Sequence, residues 1–160
     1  MAKYQVSDLI REAMAARERA YAPYSGFRVG AALLADGKIY RGCNIENASY
    51  GASNCAERTA AFAAVSAGAG HFQAIAIIGG REERAENYAW PCGICRQVLA
   101  EFAEEEMQVI AAKSESDYRI CSFKSLLPHG FSRETLFEST KQEASDHHRS
   151  KPWIRVLARK

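Results

Sequence analysis

Apolar side chains recur at helical spacing over residues 6–20, through Val6, Leu9, Ile10, Ala13 and Met14 with Arg17 on the same stripe, and Pro23 follows. This predicts a first amphipathic helix whose role is packing. The period then changes. Residues 27–35 and 38–45 are β-rich runs on either side of Asp36-Gly37, a dipeptide suited to tight hairpins, so an antiparallel pair is expected. Residues 55–67 are alanine-rich and stop at Gly68, which predicts a helix capped at Asn54 with a glycine just past its end. Residues 72–78 form an unbroken apolar run closed by Gly79-Gly80, the pattern of a central strand buried on both faces.

After a polar connection, Pro91 introduces a second helix over residues 93–104, with Val98, Leu99 and Phe102 as its buried stripe and Glu104-Glu105-Glu106 as a solvated end. Residues 107–112 and 118–123 read as two more strands. Leu126-Leu127-Pro128 makes a turn, and residues 132–139 a last helical piece. The order α-β-β-α-β-α-β-β-α predicts an α/β fold: a five-stranded mixed sheet between helices, a three-layer α/β/α sandwich.

A chain of 160 residues is enough for one domain with a real core. The catalytic unit is expected over residues 1–140, followed by a tail, residues 141–160. That tail holds six Lys or Arg against two acids, so it carries +4 and the remainder −2 of the net +2. The body therefore lacks the basic face that a nucleic acid requires, and a small uncharged substrate fits it better. The tail reads either as disordered or as docking Trp153 and Leu157 on a neighbouring subunit. The N-terminus has no basic-then-apolar leader, and no stretch approaches a membrane span, so no membrane partner is expected and the cytoplasm is the expected compartment.

Five cysteines, two of them in a Cys-x-x-Cys, point to a metal or a redox pair in a reducing compartment rather than a disulfide framework. The chemistry concentrates in Asn54-Cys55-Ala56-Glu57-Arg58 and Pro91-Cys92-Gly93-Ile94-Cys95-Arg96-Gln97. Three thiolates leave one position of a tetrahedral zinc open for water, the mark of a catalytic rather than a structural site. A carboxylate two residues from a ligand is placed to handle that water's proton, the arrangement of zinc nucleobase deaminases. Three thiolates on Zn²⁺ sum to −1, which opposes ionisation of the water, so something must withdraw charge. Helix-start amides supply part, and Arg58 is placed to donate to a thiolate, with Arg96 and Gln97 as weaker candidates.

Asn44 and Glu46 are two apart and would share one face of a strand, suited to a sugar's hydroxyls, although an exposed strand end explains them as well. Cys43 and Cys121 read as small buried hydrophobes. His71, His129 and His147-His148 read as surface side chains.

The chain resembles the cytidine deaminase family, specifically its short, homotetrameric, three-cysteine type. The resemblance spans residues 21–131. It rests on Tyr24-Ser25-Gly26-Phe27-Arg28-Val29-Gly30-Ala31-Ala32, Gly42-Cys43-Asn44-Ile45-Glu46-Asn47-Ala48, Cys55-Ala56-Glu57-Arg58-Thr59-Ala60, the Pro91 to Gln97 motif and Leu126-Leu127-Pro128. It implies one zinc per chain on Cys55, Cys92 and Cys95, with Glu57 as the proton shuttle that serves the attacking water, N3 of the cytosine ring and the departing ammonia. It further implies that Asn44 and Glu46 hold the ribose 3′-hydroxyl and that Phe27 packs on the pyrimidine, although strand packing also explains that aromatic. Ala56 joins the substrate contacts, and Ala48, Tyr50 and Phe131 would enter a neighbouring subunit's site. Ile94 is bulkier than the alanine the family leads one to expect.

Rival readings are a Cys-x-x-Cys redox protein, a binding module whose structural zinc takes Cys43 or a histidine as fourth ligand, a blasticidin S deaminase, and a nucleic-acid-editing deaminase. The redox reading leaves Cys55 and Glu57 without a role.

Overall fold

The computed structural model describes residues 4–132 and 135–136. The chain divides into two units, Met1–Gly130 and Phe131–Lys160. The first carries the elements α1 (Val6–Arg17), β1 (Arg28–Ala35), β2 (Lys38–Cys43), α2 (Ala56–Ser66), β3 (Phe72–Gly80), α3 (Gly93–Ala100), β4 (Ala103–Ala112), β5 (Tyr118–Ser122) and α4 (Phe123–Leu126). In the second, Thr135 and Leu136 are helical. The expected tail, residues 141–160, and most of the expected last helix lie outside the described residues.

One sheet orders its strands β2-β1-β3-β4-β5, with β3 and β4 parallel and every other pair antiparallel. The mixed five-stranded sheet is the expected one, and β3 is its middle strand. Asp36 and Gly37, at φ 47° and 74°, make the tight turn between β1 and β2, a backbone state that glycine reaches without strain.

Alternation along the strands divides the core in two. Ala32, Leu34, Ala74, Ala76, Ile78 and Ile110 face Leu9, Ile10 and Ala13 of α1. On the opposite face, Leu33, Ile75, Ile77 and Val109 meet Ala60, Ala61 and Ala64 of α2 and Leu99 of α3. Apart from Glu57, the buried residues of α2 are all alanine, which lets it lie against β2. A Cβ at Gly42 would sit 2.3 Å from both the Ala56 carbonyl oxygen and the Ala60 nitrogen, so only glycine permits this approach. The helix ends as expected, with Gly68 N–H on the Val65 carbonyl and Ala69 N–H on that of Ala64.

Several expectations need correction. The first helix stops at Arg17, whose side chain is buried because its guanidinium donates to the carbonyls of Arg28, Gly80, Glu82 and Glu83. The N-cap of α2 is Cys55, not Asn54; the Asn54 amide instead donates to the Thr59 hydroxyl at 3.1 Å. Glu104–106 belong to β4, not to a helix end, because α3 closes at Ala100 and Ala103 pairs with Phe72. Phe123 opens α4 rather than closing β5, and is buried. Cys43 and Cys121 are half-buried, not core, and the Cys43 thiol donates to the Arg19 carbonyl at 3.3 Å.

Candidate active site

Two helix starts form the site. Cys55 caps α2, Cys92 caps α3, and Cys95 is the third residue of α3. Cys92 Sγ lies 4.0 Å from Cys55 Sγ and 3.4 Å from Cys95 Sγ, and all three sulfurs fall within 4.8 Å of one another. Zinc–sulfur bonds of about 2.3 Å in tetrahedral geometry need sulfurs roughly 3.8 Å apart, so this trio fits such an ion as it stands. It is the one such metal-ligating group among the described residues. The Cys95 thiol and the Arg58 guanidinium hold Cys55 down to about 5, whereas the Cys55 thiolate and burial push Cys95 up. One thiolate therefore forms readily, and a cation is the partner that would release the remaining protons.

Glu57 is the second residue of α2 and only 5 % exposed. Burial pushes its carboxyl up to about 7, and the Cys55 charge acts in the same direction. Such a carboxyl both takes and gives a proton near neutral pH. Arg58 points one way to the Ser53 carbonyl and another to Cys55 Sγ, from Nη2 at 3.4 and 3.6 Å. Its buried Nε has no acceptor among the described residues. Arg96 does not serve the thiolates: its Nε and Nη1 donate to the carbonyls of Pro91 and Leu126, each at 2.8 Å, and so fix the loop that carries Cys92. Gln97 follows on an exposed part of α3.

Asn44 and Glu46 lie just past β2 and grip the segment before β1. Asn44 accepts the Val29 N–H at 2.7 Å and donates to the Phe27 carbonyl at 2.8 Å. Glu46 Oε2 accepts the N–H groups of Tyr24 and Ser25 at 2.9 and 3.1 Å, and Oε1 accepts the Ser25 hydroxyl. These contacts fix the Tyr24–Val29 segment to the end of β2. Phe27 is 40 % exposed, so it is not a strand-core residue. Ala56 is fully enclosed in the core. Tyr50 is 75 % exposed and meets Tyr24 edge-on at 5.9 Å; Ala48 is exposed beside it. Phe131 falls in the second unit, exposed.

Two site-building residues were missed by sequence reasoning. Thr59 donates toward the carbonyls of Cys43 and Cys55, at 3.0 and 3.2 Å, and so joins the end of β2 to the start of α2. Ser25 links Glu46 to Phe27. A hydroxyl four residues past Cys55 was the available signal for the first.

Comparison with known proteins decides the family. Residues 3–111 match the sequence model of the cytidine and deoxycytidylate deaminase zinc-binding region. A cytidine deaminase of Sporosarcina psychrophila is 49 % identical over 138 residues, which cover 86 % of this chain and 98 % of that protein. The chain belongs to the cytidine deaminase family. The family resemblance extends to structure. The 1.6 Å crystal structure of cytidine deaminase from Burkholderia pseudomallei superimposes with a TM-score of 0.72 at 49 % identity, covering 80 % of this chain and all of that one. Cytidine deaminase from Mycobacterium tuberculosis gives 0.70 at 38 % identity over 81 % of this chain and 98 % of its own. The matched region is a zinc-binding one, and the three-cysteine cluster supplies a fitting donor set. Membership in this family removes the redox reading. No helix among the described residues is long and apolar enough to cross a membrane.

Proposed function

We propose that this chain hydrolyses cytidine and 2′-deoxycytidine to uridine and 2′-deoxyuridine with release of ammonia. The observation that carries the reading is Glu57, buried at the same helix start as Cys55 and facing a trio of sulfurs spaced for zinc. Cys55, Cys92 and Cys95 would hold the ion. Zinc bound there acts as a Lewis acid and lowers the pKa of water. Glu57 accepts a proton from the attacking water and delivers one to N3 of the ring, which makes C4 more electrophilic. Water adds at C4. Glu57 then passes the second proton to the departing amine, so one water is consumed for each ammonia released. Arg58 draws charge from the Cys55 thiolate throughout.

The sugar side supports both substrates. A carboxylate has about four acceptor positions, and Glu46 uses three on the Tyr24–Ser25 segment. Asn44 retains one N–H and one acceptor position after its bonds to Val29 and Phe27. Together they suit a single hydroxyl that donates to Glu46 and accepts from Asn44. The 3′-hydroxyl is present on both ribose and 2′-deoxyribose, so a pair fitted to it favours nucleosides of both kinds. Phe27 supplies an exposed aromatic face for the pyrimidine.

The assembly is proposed as a homotetramer in which Ala48, Tyr50 and Phe131 reach a neighbour's site. Exposed Tyr21, Tyr24, Ile45, Tyr50, Trp90 and Ile94 support an apolar contact of this sort. The reading places the enzyme in pyrimidine salvage in the cytoplasm, with residues 1–140 as the catalytic part and 141–160 as an appended tail. Ultraviolet-monitored turnover of cytidine, with Glu57→Ala as blank, tests the activity; a zinc-loaded wild type without turnover refutes it. Light scattering tests the tetramer.

A further inference from the structure

We infer that Ser25 is a positioning residue that locks the sugar-side carboxylate of Glu46 to the base-side aromatic Phe27. The inference rests on the nucleoside reading above and adds to it a residue with no assigned role. The Ser25 hydroxyl gives its proton to Glu46 Oε1 and accepts the Phe27 N–H at 2.9 Å. The same residue's N–H reaches Glu46 Oε2 at 3.1 Å. Glu46 is thus held through both oxygens by one serine, and one of the two acceptor positions of the serine hydroxyl sets the amide of Phe27.

The backbone permits this closure because Gly26, between the two, has φ +67°, a left-handed state that a side chain strains. A serine bonding the N–H two residues on is a local turn device, but its proton goes to a carboxylate 21 residues away. On the far side, the Asn44 amide holds the Phe27 carbonyl. Phe27 is therefore clamped at its N–H through Ser25 and Glu46 and at its C=O through Asn44. Both clamps begin on the side chains proposed for the sugar. A sugar hydroxyl that engages Glu46 would share its carboxylate with Ser25, and so couple the sugar to the orientation of the ring that meets the base. Charge-assisted hydrogen bonds are the stronger kind, which makes this link worth more than an ordinary turn contact.

The test compares Ser25→Ala and Ser25→Thr with wild type in two measurements. In amide exchange by the full zinc-loaded protein, Ser25→Ala is expected to expose the Phe27 N–H about tenfold while leaving the Val29 N–H, which Asn44 holds, unchanged. In kinetics, Ser25→Ala is expected to lower kcat/KM about tenfold with cytidine and by a smaller factor with 2′,3′-dideoxycytidine, which keeps only the Phe27 arm, and Ser25→Thr to restore most of the loss. Equal losses on the two substrates, or unchanged Phe27 exchange, overturn the inference. Wild-type turnover of cytidine reports separately on the nucleoside reading, and the exchange result decides the Ser25 link whichever way that goes.

Discussion

Arg58 Nη2 lies 3.6 Å from Cys55 Sγ, and the two residues share the first turn of one helix start. Three thiolates would leave a zinc centre at −1, and this guanidinium is the nearest group that draws the excess away. Arg58→Gln is expected to keep zinc near one per chain and to lower kcat roughly 10- to 100-fold. Metal analysis beside steady-state kinetics checks it; unchanged kcat would remove Arg58 from the chemistry.

Glu57 carries the proton traffic. Glu57→Ala is expected to retain the ion, since the proposed ligands are the three sulfurs and not the carboxyl, and to lose on the order of 10²- to 10⁴-fold in kcat. Loss of zinc from the variant would instead give Glu57 a structural role.

The Glu46 carboxyl is held below the usual carboxylate range, first by the Ser25 hydroxyl and then by the Tyr24 and Ser25 amides. A carboxylate with a lowered folded pKa contributes its stabilisation above its unfolded pKa, near 4.5. That contribution disappears as pH falls through the lower folded value. Protection of the Tyr24 and Ser25 amides is expected to drop in that acid window. Glu46→Gln should show weak protection at every pH.

Gly42→Ala would drive a methyl into the backbone of α2 at Ala56 and Ala60. Overpacking of this type costs about 1–3 kcal/mol. The expected result is a lower Tm together with weaker zinc retention, because the displaced turn carries Cys55. Thermal melts with metal titration measure both.

Arg17 closes the α1 face. Arg17→Met removes donors to four backbone carbonyls and should cost about 3 kcal/mol, with faster proteolysis within residues 81–87. Limited digestion and denaturant melts check this, and kcat of the surviving folded enzyme should stay near wild type.

Much of this architecture was legible in the chain because local and global signals agree. Asp36-Gly37 marks the hairpin, and the apolar run of residues 72–78 becomes the middle strand since both of its faces are covered. The two cysteine motifs gave the metal cluster because each sits at a helix start. Failures occurred where a distant partner overrides local preference. Three successive glutamates favour a helix by composition, yet β4 begins at Ala103 through its pairing with Phe72. Arg17 occupies an apolar helix position because carbonyls some 63–66 residues away require donors. The roles of Ser25 and Thr59 were not legible, since Glu46 and Cys43, which they bond, lie on a segment brought in by the sheet.

The metal cluster joins α2 to α3, two helices separated in the chain by the whole of β3. Zinc binding therefore requires that the middle strand already be in place, and an unfolded chain offers the ion no equivalent site. Affinity for zinc and stability of the fold are then one linked equilibrium, with stabilisation rising as RT ln(1 + [Zn]/Kd). The fraction of chains that stay folded under heat thus becomes a readout of metal supply.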